Sequence, residues 1–267
     1  MLAGGCHYAK RPHRTYGKIH MITLFGFGAG FGLPEISPYV TKTEVQLKMA
    51  GLAYRKERAQ PGQSPKGQMP FIQVGDERVA DSTFIRAFLE WTYSFDLDQG
   101  LDERQRAEAW AIERMCENQL AWTGIHFRWL VPENFDKGPA QFFDAAPEAT
   151  RESLREQAVQ GVRATVHAVG VGRHSEPEIL ELAERSLAAL SAILGDRPYL
   201  MGQRPCGADA TVFALLAAVL TPWFDGELKR RAEGFGTLVA YVDRLMARFY
   251  PEFEWDLETS LRPPVAA

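Results

Sequence analysis

Cysteine is scarce in this chain: Cys6, Cys116 and Cys206 are the only three among 267 residues. They are too few and too scattered for a disulfide scaffold or a thiolate zinc site. That fits a reducing compartment and makes the cytoplasm the expected location. Long apolar runs are also lacking. The longest, Ala210 to Leu220, falls far short of the ~20 residues a spanning helix needs, so no membrane span is expected. Net charge is only −4, and no overall positive field favours nucleic acid or anionic lipid. No His-Glu-x-x-His spacing occurs, so no metal site is expected. Hydrophobic residues at 46% and charged residues at 24% leave a folded globular chain, not a disordered one.

The mild net charge hides an asymmetry. Residues 1–20 hold Lys10, Arg11, Arg14 and Lys18 and no acid, so removing that +4 leaves the other 247 residues at −8. The segment has no apolar run and does not read as a secretory signal. It is expected to lie outside the fold, with Met21 opening the first strand-like run.

Ile22 to Phe27 reads as a strand that ends in the glycine-rich stretch Gly26-Phe27-Gly28-Ala29-Gly30-Phe31-Gly32. From Ser37 the pattern is helical: Pro38 suits a first turn, Ser37 can cap it, and Val40, Thr43, Leu47 and Ala50 recur at helical spacing before Gly51. Tyr54 to Arg58 reads as a second strand. Phe71 to Val74 and Arg78 to Ala80 form a hairpin about Gly75-Asp76, after which Asp81-Ser82 caps a helix. Beyond a polar linker at Asp96 to Gly100 every candidate element is helical: Asp102 to about Val131, Glu148 to about Val169, Glu176 to Leu194, Ala208 to Leu220, and Gly236 to about Phe249. The chain thus divides into a small α/β unit and a larger all-α unit, and a site is expected in the cleft between them.

The glycine stretch is no nucleotide motif. Its glycines alternate, so no G-x-G-x-x-G register fits, and no Gly-Lys-Ser/Thr follows. A flexible loop carrying Phe27 and Phe31 over a pocket is expected instead. Ser37-Pro38-Tyr39-Val40 lies where a redox Cys-x-x-Cys would open the first helix, and with no cysteine in the α/β unit dithiol exchange is excluded. What remains is a hydroxyl at a helix N-terminus, either a simple cap or a donor that lowers the pKa of a bound thiol. Ser37 is the first candidate for that role and Tyr39 the second. Met69-Pro70 opens a strand where a cis bond would turn the chain sharply. Asp81-Ser82 is by itself a cap. Trp122, His126 and Trp129 share a helix face, His126 being either a packed core group or a ligand-facing one. If that face lines the cleft, they form an aromatic wall with Phe27, Phe31 and Trp223 for an apolar substrate.

Taken in order, the strand, the Ser37-Pro38-Tyr39 helix, Met69-Pro70-Phe71-Ile72, the Gly75-Asp76 hairpin, the Asp81-Ser82 helix and the helical second half resemble the glutathione transferase superfamily. The resemblance covers roughly residues 21–253. Ser37-Pro38-Tyr39-Val40, Lys66-Gly67-Gln68-Met69-Pro70-Phe71-Ile72, Ala80-Asp81-Ser82, Gly172-Arg173-His174-Ser175 and Leu190 through Asp209 are similar to its failed axon connections and metaxin-like branch.

The resemblance implies a thioredoxin-like α/β domain at 21–96, an all-α helical-bundle domain at 101–253, a tail at 254–267 and a homodimer. It also implies glutathione as co-substrate, conjugated to an apolar electrophile. Met69, before the proline, would pair by its backbone with the cysteinyl part. Asp81 and Ser82 would hold the γ-glutamyl end, a carboxylate answering the ammonium and a hydroxyl with the helix N-terminus answering the α-carboxylate. Cys206 and Asp209 resemble the capping box of the family's buried helix, which makes Asp209 structural. The metaxin-like branch also implies the alternative of a binding or interaction module without turnover.

Overall fold

The computed structural model describes residues 20–255. The expectations for the basic opening segment up to residue 19 and for the tail beyond Trp255 lie outside the described residues.

The α/β unit is a four-stranded sheet in the order β2-β1-β3-β4. Strand β1 (Ile22–Gly26) runs parallel to β2 (Tyr54–Arg58), and helix α1 (Pro38–Met49) makes the crossover that a parallel pair requires. Strands β3 (Phe71–Val74) and β4 (Glu77–Ala80) form the expected hairpin, and β3 pairs antiparallel with β1. Helix α2 (Ser82–Tyr93) follows directly. The edge strand β2 reads Tyr-Arg-Lys-Glu-Arg, a charged edge that discourages pairing with another chain.

Helix α1 is not the one-faced helix that its sequence stripe suggests. Val40 and Leu47 pack into the sheet core, while Val45 joins the helical core around α8 (Gly207–Leu220) on the opposite side. Among its buried polar residues, Glu44 accepts from Lys56 Nζ at 2.8 Å, Tyr54 Oη at 2.8 Å and Tyr250 Oη at 3.0 Å, whereas the Gln46 side chain is buried without a hydrogen-bond partner. An unpaired charge at that depth would cost several kcal/mol.

In the helical unit the expected single helix from Asp102 to Val131 is broken up. It runs as α3 (Glu103–Met115), a π-helical turn at Cys116–Leu120 and α4 (Ala121–Trp129). It stops before Val131 because Pro132 forces the preceding residue out of the helical region; Val131 has φ −87° and ψ 117°. Pro132 then opens the short α5 (Pro132–Lys137), and a 3₁₀ turn spans Pro139–Phe143. Both elements are too short to show a periodic stripe. Helices α6 (Glu148–Ala168), α7 (Glu176–Leu194), α9 (Glu227–Glu233) and α10 (Gly236–Phe249) complete the bundle about α8. No described helix is long and apolar enough to cross a membrane.

Helix α8 is buried along nearly its whole length, as its uniformly apolar sequence predicts. Its start rests on Asp209, whose Oδ2 accepts from Cys206 N at 2.8 Å and whose Oδ1 accepts from Leu200 N at 3.0 Å and Tyr241 Oη at 2.8 Å. Burial pushes this carboxyl upward against the pull of those donors. Because the carboxylate carries the cap and Cys206 is a buried thiol, Cys206→Ser is expected to be neutral or stabilising by up to ~1 kcal/mol. Chemical denaturation checks this, and a clear loss of stability would contradict it.

Candidate functional site

The site grows from the carboxyl end of β1. Gly26 is followed by a loop that turns back on a single buried side chain, Glu35. Glu35 Oε1 accepts from Phe27 N at 3.1 Å and Ser37 N at 3.2 Å, while Oε2 accepts from Gly28 N at 3.0 Å and pairs with Lys56 Nζ at 3.0 Å. The clasp explains a glycine: a Cβ on Gly26 would lie 2.7 Å from Glu35 Oε2 and 2.8 Å from Val40 Cγ1. Further along, Phe31 adopts φ 55°, uncommon for a residue with a side chain, and Thr221 Oγ1 donates to its carbonyl at 2.6 Å. That bond ties the loop to the end of α8.

The loop therefore carries its aromatics across to the helical unit. Phe31 meets Phe142 at 5.7 Å and Phe224 at 5.4 Å between ring centres, and Phe142 meets Phe27 at 6.2 Å and Trp129 at 6.0 Å. Beneath them lies a cavity of about 230 Å³. One side of it is Phe27, Phe31, Ile36, Ser37, Pro38 and Tyr39; the other is α4, Phe142 and the residues Leu215, Ala218 and Val219 of α8. The cleft between the two units is thus a partly open, largely apolar space with Ser37, Tyr39 and Arg128 in its wall.

Ser37 occupies the N-cap position of α1, and its carbonyl accepts from Val40 N at 3.1 Å and Thr41 N at 3.0 Å. Its hydroxyl makes no capping bond. The expectation that Ser37 caps by its side chain is corrected: Glu35 takes the Ser37 amide and sets the turn, leaving the hydroxyl on the cavity wall. Burial and then the neighbouring Glu117 carboxylate push the Tyr39 phenol well above its ordinary value. Tyr39 therefore stays protonated at physiological pH and can serve only as a neutral donor.

A second group of predicted residues gathers at the start of α2. The Met69-Pro70 bond is cis. Asp81 N donates to Pro70 O at 3.2 Å, and Asp81 Oδ1 accepts from Thr83 N at 2.9 Å. Ser82 is buried and Asp81 exposed. Because Phe25 pairs with Phe71, extending the register brings Pro70 opposite Gly26 and Met69 opposite Phe27. The two groups flank the same end of β1.

Three residues expected in the aromatic wall do not line the cavity. Ala121, Ile125, Arg128 and Trp129 present one face of α4 to it. Trp122 and His126 each sit one position further on, about 100° around the helix. Trp122 packs half-buried against the helical core. His126 stacks edge-on with Phe127 at 5.1 Å, and burial lowers its pKa, with Glu176 and Arg163 as its charged neighbours. Trp223 is exposed, donates from Nε1 to Lys137 O at 3.0 Å, and belongs to a shallow groove outside the loop. Phe27, Phe31 and Trp129 line the cavity. The sequence reading does not single out Phe142 and Arg128, which line the cavity, or Glu35, which holds the loop above it. The spacing of Arg128 from Ile125 and Ala121 was the signal available for it.

A thioredoxin-like sheet whose first helix opens on a cavity roofed by a helical bundle is a two-part architecture. The description "Glutathione S-transferase N-terminal domain" matches residues 38–134, and "Glutathione S-transferase, C-terminal domain" matches residues 183–245. Isoprene-epoxide--glutathione S-transferase of Rhodococcus sp. (strain AD45) is 31% identical over 207 residues, 73% of this chain and 85% of that protein. Failed axon connections of Drosophila melanogaster is 31% identical over 258 residues, 91% of this chain; the chain spans 61% of that protein's length. The crystal structure of beta-etherase LigF from Sphingobium sp. strain SYK-6 superposes with a TM-score of 0.63 at 19% identity, covering 87% of this chain and 98% of that one. The chain belongs to the glutathione S-transferase family.

Proposed function

We propose that this protein binds glutathione along the α/β unit and transfers its thiol to an apolar electrophile held in the cavity, acting in the cytoplasm. The observation that carries this reading is the Ser37 hydroxyl, unengaged in capping, at the N-terminus of α1 on the wall of an apolar space. A hydroxyl donor and the positive end of a helix dipole both favour thiolate over thiol. The thiol proton passes to solvent. The sulfur lone pair then forms a bond to the electrophilic carbon, and the leaving group departs with its electron pair. Met69 offers its backbone to the cysteinyl part, and Asp81, Ser82 and the start of α2 answer the γ-glutamyl ammonium and carboxylate.

Glutathione at 100 times its dissociation constant should stabilise the fold by about 2.7 kcal/mol in thermal unfolding. No shift would remove the glutathione site. Ser37→Ala is expected to lower turnover roughly 10- to 100-fold, the scale of losing one hydrogen bond to a charged group, with glutathione affinity nearly intact. Unchanged turnover would move the role to Tyr39 or a backbone N–H. A shift with no turnover on generic electrophiles would instead favour a binding module, the reading that likeness to Failed axon connections supports. A homodimer is part of the proposal. Phe84 on α2 and Trp110 on α3 are exposed and each carries a cation over its ring, Lys66 at 4.1 Å and Arg114 at 4.3 Å. Light scattering reads the assembly directly.

A further inference from the structure

We propose that Arg128 is a specificity residue of the cavity, and that the molecule received there has an apolar body ending in a carboxylate. As a statement about the electrophile this rests on the transferase reading above. As a statement about binding it does not.

Two other half-buried arginines, Arg86 and Arg114, pair with carboxylates. Arg86 meets Asp98 at 2.6 Å, Glu90 at 2.9 Å and Glu113 at 3.3 Å, and Arg114 meets Glu117 at 2.8 Å. Arg128 is different. Its Nη2 donates to the Ala218 carbonyl at 2.8 Å and its guanidinium lies 4.7 Å from the centre of the Phe224 ring. Among the described residues no carboxylate lies within 4.0 Å of it. The acid that could have served is engaged elsewhere: Asp225, beside Arg128 in a smaller pocket of about 40 Å³, pairs with Lys137 at 2.6 Å. Lys229, the other cation of that pocket, pairs with Glu233 at 3.6 Å. Burial lowers the pKa of Arg128, whereas the carboxylates around Arg86 raise that of Arg86 in spite of its burial.

A guanidinium presents five donors; Arg128 is half-buried, and none of its nitrogens is both buried and unbonded, so the donors not taken by the Ala218 carbonyl open on accessible space where a ligand can meet them. Arg128 lines the main cavity as well as the smaller pocket, where the remaining surface is almost wholly apolar apart from Ser37 and Tyr39. A ligand carboxylate supplies what the protein omits, a charge-assisted and potentially bidentate partner. Position adds a length. Tyr39 has Cys116 and Glu117 of the π-helical turn among its neighbours, Leu120 at the end of that turn borders the cavity, and Arg128 lies eight residues on, about 12 Å along a helix axis. The acid group would therefore sit on the order of 10 Å from the hydroxyl end where the thiol is proposed to act.

The test uses two matched pairs of probes on the full chain. Unreactive 3,5-dinitrobenzoate and 3,5-dinitrobenzamide are compared by titration calorimetry without glutathione. The wild type should bind the acid at least about tenfold more tightly than the amide, as a charged hydrogen bond implies. Arg128→Met should bring the ratio close to one, and Arg128→Lys should retain part of it. Equal binding of acid and amide by the wild type overturns the proposal, and needs no variant to fold; so does a ratio unchanged in Arg128→Met. Turnover is then measured with glutathione on 4-chloro-3,5-dinitrobenzoate and the corresponding amide, where a C–S bond forms, chloride leaves and the thiol proton goes to buffer. Acid preference in binding without turnover of either chloride defeats the transferase reading and leaves the Arg128 site standing. Turnover without acid preference does the reverse.

Discussion

Lys42→Met is expected to lower stability by about 3–5 kcal/mol, the usual cost of stripping one partner from a buried ion network. The Lys42 side chain is 2% exposed and lies 2.7 Å from Glu117 and 3.0 Å from Glu113. Glu113 also takes Arg86 at 3.3 Å and the Thr211 hydroxyl at 2.8 Å, and Asp98, bound to Arg86, accepts from Gly207 N at 2.9 Å. The network therefore joins α1 and α2 of the sheet unit to α3 and α8 of the bundle, and its loss should loosen the two units from each other. Burial would raise the Glu113 carboxyl, but Lys42 and Arg86 outweigh it and hold the group below its ordinary 4.5. A carboxylate lowered in the folded state stabilises above its unfolded value, and loses that contribution as pH falls through the folded one. The gap between wild type and Lys42→Met should thus be widest at neutral pH and narrow below about pH 4.5, where the stranded acids can protonate. Urea unfolding at pH 7 and pH 4 measures both values; an unchanging gap would mean that the loss is packing alone.

Glu35→Ala is expected to cost about 3 kcal/mol and to abolish the turnover proposed above. It orphans the amides of Phe27, Gly28 and Ser37 together, at roughly 1–3 kcal/mol for each donor that stays buried. Lys56 keeps Glu44 at 2.8 Å, so the damage is local to the loop. Glu35→Gln retains one oxygen of similar placement and should fall between the two. Hydrogen exchange at Phe27, Gly28 and Ser37 should rise by orders of magnitude in Glu35→Ala and little at β3. Protected amides with intact turnover would show that the loop is held by its aromatic contacts instead.

Much of the α/β unit was readable in the chain because its signals are local. The run Tyr54–Arg58, the turn at Gly75-Asp76 and the carboxylate at Asp81 depend on residues a few positions apart. So does the capping carboxylate of Asp209, which reaches back three residues to Cys206 N. Glu35 and Lys42 were invisible for the opposite reason. In sequence they are two more charges near a helix start, and only the partners that arrive from residues 56, 113 and 117 make them buried ions. The misplacement of Trp122 and His126 has the same origin. Hydrophobic spacing shows that a helix has faces, but which one looks into a cavity is set by the helices packed around it.

By itself, then, the sequence determined that a small sheet unit precedes a helical one, that no thiol lies in the sheet unit between Cys6 and Cys116, and that a hydroxyl stands at the start of its first helix. These are consequences of residue type and short-range geometry. Tertiary structure alone decided that the Ser37 hydroxyl is left on a cavity wall, because Glu35 takes over the turn. It alone decided that Arg128 reaches that cavity without a carboxylate partner among the described residues. Both outcomes depend on which distant groups meet in a low-dielectric interior, where each charge or donor must find a partner or remain for a ligand to satisfy.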